Sequence, residues 1–207
     1  MSLVKYLIGI SGGSGSGKTS IVQEIRKLFT EEELCIVSQD NYYIPREDQE
    51  VDKNGVSNFD LPSSINLDAF TDDVLKLKEG NTVKLKEYVF NNELKESRTI
   101  VYNPAPVLLI EGLFVYHNER MRELLDYKFF IDAPEDTKLI RRIRRDRVER
   151  NYPLEDVLYR FENHVTPSYV TYILPHKDTC DIIINNRYSY DKSIDIISSF
   201  IKSKLLD

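Results

Sequence analysis

Residues 4–19 read Val4-Lys5-Tyr6-Leu7-Ile8-Gly9-Ile10-Ser11-Gly12-Gly13-Ser14-Gly15-Ser16-Gly17-Lys18-Thr19. Val4 to Ile10 is a short apolar, β-branched run that stops at Ser11-Gly12-Gly13. From Thr19 to Phe29 the apolar residues Ile21, Ile25 and Leu28 recur at helical spacing. Between the two, Gly12 to Thr19 matches G-x-x-x-x-G-K-[ST] in the strand–loop–helix setting that a phosphate cradle requires. Gly12, Gly13, Gly15 and Gly17 let backbone N–H groups curl around phosphates, with Ser14 and Ser16 between them, and the helix N-terminus favours the anion. Lys18 reaches the β- and γ-phosphates of ATP, and the Thr19 hydroxyl can hold Mg²⁺. A merely flexible turn would need neither the Lys-Thr pair nor its spacing.

Working outward, further buried-strand runs follow at Leu34 to Val37, Val107 to Ile110, Lys128 to Ile131 and Asp181 to Ile184. Helical patterns fall at Leu67 to Lys78, Glu135 to Arg150, Leu154 to Tyr172 and Lys192 to Leu205. This alternation predicts an α/β fold: a doubly wound, mainly parallel sheet of the P-loop NTPase type, in one domain spanning residues 1–207. Residues 81–103 break the pattern with two strand-like runs around Asn91-Asn92 and predict an inserted β-hairpin lobe on the acceptor side. Asp40 to Pro62 is a long irregular segment of the kind that is functional inside compact domains. Residues 141–153 are expected to form a helical lid.

Composition narrows the partners. The apolar fraction of 41% and charged fraction of 30% are ordinary for a globular chain, and a net charge of −6 disfavours a nucleic-acid surface. Met1 to Ile10 has neither a basic n-region nor a long apolar stretch, so no signal peptide or membrane span is expected. Cys35 and Cys180 lie in apolar runs and read as buried thiols of a reducing compartment, giving a cytoplasmic expectation.

Two acids stand where strands run out. Val107-Leu108-Leu109-Ile110-Glu111-Gly112 puts Glu111 at the sheet edge, where it can orient Mg²⁺ through water. Ile36-Val37-Ser38-Gln39-Asp40 puts Asp40 beyond the second strand, as a base for an acceptor hydroxyl or as a cap of the Asn41-Tyr42-Tyr43 turn. Arg141, Arg142, Arg144, Arg145, Arg147 and Arg150 crowd one predicted helix. Pairs such as Arg142 with Asp146 and Arg145 with Glu149 suit a solvated face, yet the positions ring the helix, so some must face the sheet or a cleft. His117, His164 and His176 lack metal-ligand spacing and read as structural or exposed.

The blocks Gly12 to Thr19, Ser38-Gln39-Asp40-Asn41-Tyr42-Tyr43, Asn58-Phe59-Asp60-Leu61-Pro62, Tyr88-Val89-Phe90, Ile110-Glu111-Gly112, Phe130-Ile131-Asp132 and Arg141-Arg142-Ile143-Arg144-Arg145-Asp146 resemble those of uridine-cytidine kinases, in the same order along most of the chain. The resemblance implies transfer of the γ-phosphoryl group of Mg·ATP to the 5′-hydroxyl of a nucleoside, uridine or cytidine. Asp40 and Lys18 would be catalytic, and Asp60 would hold the ribose hydroxyls. Tyr43 and Phe59 would wall the acceptor pocket, Tyr88 and Phe90 would meet the base, and Arg142, Arg145 and Arg150 would clamp the nucleotide. A homo-oligomer is also implied. The chain departs from that family where the base is read, with Glu93, Tyr152 and Arg160 at positions that pyrimidine kinases fill with histidine, arginine and glutamine. Those departures leave open a same-fold kinase for nicotinamide riboside, pantothenate or a sugar phosphate. A nucleotide-gated regulatory protein without transfer activity is the alternative of another class.

Overall fold

A computed structural model describes residues 3–90, 97–148 and 150–206. Its strands in chain order are β1 (Tyr6–Ser11), β2 (Leu34–Ser38), β3 (Val83–Lys86), β4 (Thr99–Tyr102), β5 (Val107–Glu111), β6 (Tyr127–Asp132) and β7 (Ile182–Asn185). The main sheet runs β2-β5-β1-β6-β7 with every neighbour parallel, and β3 and β4 form a separate antiparallel pair. The doubly wound α/β architecture read from the alternating runs is therefore the one observed.

Strand alternation divides the buried side chains between two faces. Leu7, Cys35, Val37, Leu108, Ile110 and Phe130 point into one core, packed by Phe70, Val74 and Leu77 of helix α2 (Leu67–Lys78). Ile8, Ile10, Leu34, Ile36, Val107, Leu109, Phe129 and Ile131 point into the other. That second core is closed by Ile21, Val22 and Ile25 of α1 (Lys18–Arg26) and by Ile197 and Ile201 of the C-terminal helix, Asp191–Leu206. Each fully buried Leu or Ile contributes about 1.5–3 kcal/mol, so the two layers hold the strand register that aligns the site. Gly9 is the gap in this pattern: a Cβ there would stand 2.8 Å from the Tyr116 ring, whose hydroxyl lies 2.7 Å from the Gly9 carbonyl.

Between them lie the helices α3 (Glu119–Leu124), α4 (Glu135–Val148) and α5 (Leu154–Arg160), with shorter helical turns besides. The pattern from Leu154 to Tyr172 predicts one regular helix, but α5 runs on into π-helical turns at Phe161–Val165 and Tyr169–Ile173. Pro167 lies between them, where its missing N–H and its ring both loosen the ladder. The Asp181–Ile184 run, read as a buried strand, is an edge strand with Ile183 exposed, and Cys180 lies ahead of it, half-buried. The hairpin packs on the first core through Val83 and Tyr102, which face each other in its register. Glu93 and Glu149 lie outside the described residues. Among the described residues no helix is long and apolar enough to cross a membrane.

Candidate active site

The carboxyl ends of β1, β2 and β5 open on one cleft of about 1900 Å³, where open parallel sheets bind ligands. Ser14, Gly15, Gly17, Lys18, Thr19, Asp40, Tyr43, Phe59, Asp60, Tyr88, Phe90, Glu111, Arg142, Arg145 and Arg150 all line it. Gly12, Gly13 and Ser16 sit behind that lining, buried in the turn of the loop.

The loop's shape requires its glycines. Gly15 and Gly17 have φ of 80° and 97°, and a Cβ on Gly17 would overlap the Asn186 amide nitrogen. Asn186 is fully buried just beyond β7 and donates to the Ser16 carbonyl at 2.8 Å, bracing the loop from below. Lys18 opens α1 and turns back, donating to the carbonyls of Gly12 (2.6 Å) and Gly13 (3.1 Å). Burial lowers its ammonium to about 8, against the pull of Glu111 and Asp40.

Glu111 is buried at the end of β5 and accepts a hydrogen bond from the Ser38 hydroxyl at 2.5 Å. Burial raises its carboxyl to about 7, with Asp40 adding to the rise and the Ser38 bond opposing it. The same Ser38 hydroxyl accepts from the Asp40 N–H at 3.3 Å and so caps the 3₁₀ turn Gln39–Tyr42. The cap of this turn is thus Ser38, and the half-buried Asp40 side chain lines the cleft. Gln39, fully buried, accepts from the Phe114 N–H at 2.8 Å and ties this turn to the loop after β5.

An aromatic wall stands beyond Asp40. The Tyr43 ring lies 5.0 Å from Phe90, 5.4 Å from Tyr88 and 6.2 Å from Phe59. Burial raises the Tyr43 phenol well above its ordinary value, and Asp40 and Asp60 add to the rise, so it stays protonated. Asn41 holds the hairpin to this wall: its amide donates to the Tyr102 hydroxyl at 2.9 Å, and its carbonyl accepts from the Tyr88 N–H at 3.3 Å.

The arginines of α4, and Arg150 just beyond it, differ sharply in setting. Arg144 and Arg147 are exposed, Arg141, Arg145 and Arg150 half-buried, and Arg142 buried. Arg142 reaches Ser14 Oγ at 2.9 Å and Asp60 at 3.2 and 3.4 Å, and its Nε lies 3.1 Å from Asp146. Of the two readings left open for these arginines, a solvated face or an inward one, the Arg142–Asp146 pair takes the inward one. Asp146 also meets Arg145 at 2.8 Å and Arg150 at 3.5 Å. Arg150 stacks 4.3 Å from the Phe90 ring centroid. At the two described positions where base-reading residues are replaced, Arg160 donates to the Ser57 carbonyl at 2.6 Å and lies over the Tyr152 ring at 5.4 Å.

Ser38, Asn41 and Asn186 escaped the reading of the sequence. The first two flank Asp40 in the motif that drew attention to it, and Asn186 follows a strand at its carboxyl end, which is the signal that could have found them. Lys138 had none: it is buried against the loop, pairs with Glu135 and stands 3.7 Å over the Tyr169 ring.

The family model described as Phosphoribulokinase / Uridine kinase family matches residues 7–192. A "Uridine kinase" of Borrelia duttonii is 38% identical over 97% of this chain and 96% of its own. A "Uridine-cytidine kinase B" of Dictyostelium discoideum is 34% identical over 97% of this chain and 82% of its own. Among solved structures, one titled as a possible uridine kinase from Bacillus stearothermophilus superposes with a TM-score of 0.59 at 18% identity, over 89% of this chain and 90% of that one. At that identity it speaks for the fold alone.

Proposed function

The chain belongs to the phosphoribulokinase and uridine kinase family of kinases, and from that footing we propose that it phosphorylates the 5′-hydroxyl of a nucleoside, uridine or cytidine, with ATP. One observation carries the reading: Asp40 lines a single cleft between the phosphate loop and the Tyr43–Phe59–Tyr88–Phe90 wall. A flat base suits that wall, and a hydroxyl held beside Asp40 would face the γ-phosphate lodged over Lys18.

Asp60 accepts from the ribose 2′- and 3′-hydroxyls, and Tyr43 and Phe59 enclose the sugar. Asp40 takes the 5′-hydroxyl proton as its oxygen bonds to the γ-phosphorus, and the bond from that phosphorus to the β-bridging oxygen breaks, leaving ADP. Lys18, Arg145 and Arg150 stabilise the charge on the moving group, while Arg142 links the loop at Ser14 to Asp60. Residues 141–153 close over the nucleotide and keep water from competing for the phosphoryl group.

The donor set fits magnesium. Thr19 and Glu111 offer oxygen ligands in the cleft, and Glu111 is a buried carboxylate whose ionised form needs a nearby cation. Thr19 and Glu111 would hold Mg²⁺, Glu111 by way of water, and the ion would supply neutralisation of the charge on the transferring phosphoryl group.

The test is ADP release with Mg·ATP against uridine, cytidine, other nucleosides, nicotinamide riboside, pantothenate and sugar phosphates, with product masses. Formation of the 5′-monophosphate of uridine or cytidine supports the reading. Turnover of a different acceptor alone, or of none, removes it.

A further inference from the structure

The segment between Arg46 and Asp60 is held from outside by α5 and the π turn that follows it. Asp52 is its centre. Asp52 Oδ1 accepts from the N–H groups of Asn54 (2.8 Å) and Val56 (2.9 Å), which shapes the loop itself. Asp52 Oδ2 faces the other way, accepting from the Tyr159 hydroxyl at 2.6 Å and lying 2.7 Å from His164 Nε2. The Asn54 amide donates to the same Tyr159 oxygen at 2.7 Å, and Arg160 donates to the Ser57 carbonyl at 2.6 Å.

Helix geometry makes this contact specific. Residues five apart on an α-helix point about 140° away from each other, so Tyr159 and His164 could not both reach one carboxylate. Tyr159 lies in the last turn of α5, and from Phe161, where His164 follows, the helix takes the wider i→i+5 closure, which narrows that angle. The two rings stand 5.8 Å apart, edge to face, with the His164 ring buried. A junction of α5 with a π turn that presents one side chain from each to a single loop carboxylate is a built contact, and π turns of this kind recur at functional segments.

The loop's far end leads to the acceptor side of the cleft. Glu50 and Asn58 join across it, the Glu50 carbonyl accepting from the Asn58 N–H at 2.7 Å. The Asn58 side chain then accepts from the Asp60 N–H at 2.9 Å, and Phe59 packs toward Tyr43. On the reading that Phe59 and Asp60 meet the acceptor, we propose that Asp52, Tyr159 and His164 are positioning residues: a clamp that fixes residues 50–58 to α5 and thereby sets where Phe59 and Asp60 stand. The clamp touches neither the phosphate loop nor the nucleotide end of the cleft, so it governs acceptor binding selectively.

The experiment uses the full chain with Tyr159→Phe, which removes only the Tyr159 bonds to Asp52 and Asn54, and Asp52→Ala, which removes the His164 contact and the loop's own turn as well. KM for uridine, KM for ATP, melting temperature and amide exchange are measured for each. Hydrogen bonds to a charged group predict a rise in uridine KM of about tenfold for either variant, with ATP KM changed by less than about twofold. Exchange should quicken across residues 50–60 and stay unchanged across residues 12–19. The double variant should bind uridine less weakly than the two single effects multiplied, because both changes break the Tyr159–Asp52 bond and only the Asn54–Tyr159 bond is left for the second change to remove. Unchanged uridine KM, or an equal rise for ATP, overturns the clamp. If the wild-type chain phosphorylates no nucleoside, the proposed function falls and exchange decides the clamp: unaltered exchange across residues 50–60 in Tyr159→Phe refutes it, and faster exchange confined there upholds it.

Discussion

Replacing Arg142 with Met keeps a long apolar stem in place and removes the charge. Arg142 and its partners are nearly inaccessible, with side-chain exposures of 7% for Arg142, 9% for Asp60 and 5% for Asp146. Breaking a buried pair by deleting one member costs about 3–5 kcal/mol, because the survivor is left as an uncompensated interior charge. Here the two survivors differ: Asp146 keeps Arg145 at 2.8 Å and Arg150 at 3.5 Å, whereas Asp60 loses the guanidinium that binds both its oxygens. One orphan rather than two places the loss near the low end, about 3 kcal/mol, or about 6–12 °C of melting temperature for a domain of this size. Calorimetry on wild type, Arg142→Met, Asp60→Asn and the double variant measures it. The double variant should recover part of the loss, since an asparagine leaves no buried charge unpaired. Arg142→Met melting within about 2 °C of wild type, or a double variant less stable than Arg142→Met alone, would refute the reasoning.

Asp40→Asn should leave ATP affinity intact and lower kcat by about 10²- to 10⁴-fold, the usual worth of a positioned base, and near-normal turnover would show that another group takes the proton. Gly17→Ala forces a side chain onto a φ of 97° and into the Asn186 amide, so equilibrium dialysis should find ATP binding weakened by at least about tenfold. Burial pushes the Cys35 thiol up to about 12 and the Cys180 thiol up to about 11, so at pH 8 both remain protonated. A disulfide reagent should then label half-buried Cys180 slowly and Cys35 only as the chain unfolds; rapid labelling of Cys35 in the native protein would contradict its packing in the sheet.

Much of this molecule was legible because its information is local. A strand, a glycine loop and a helix with Lys18 and Thr19 at its start are consecutive residues, and the alternation of apolar runs with helical spacing follows from two backbone periods. Those two facts lead to the parallel sheet, and the rule that ligands meet such sheets at strand carboxyl ends puts Asp40 and Glu111 under suspicion before any coordinates exist. What could not be read was every relation carried across the chain. The Arg142–Asp60 pair joins residues 82 positions apart, and the Asp52–His164 contact joins residues 112 apart. Spacing along one helix could not say whether Arg142 and Asp146 face solvent or the cleft, and packing of α4 against the phosphate loop made them an interior pair. The π turn after α5 was invisible for a related reason: helical periodicity reports which residues are apolar, not how many close a turn, and the contacts of Tyr159 and His164 with Asp52 lie far apart in the chain. Sequence therefore determined the layers and the loop, and tertiary packing decided which charges are buried and whom they face, because burial is a property of what lies opposite and not of what lies next along the chain.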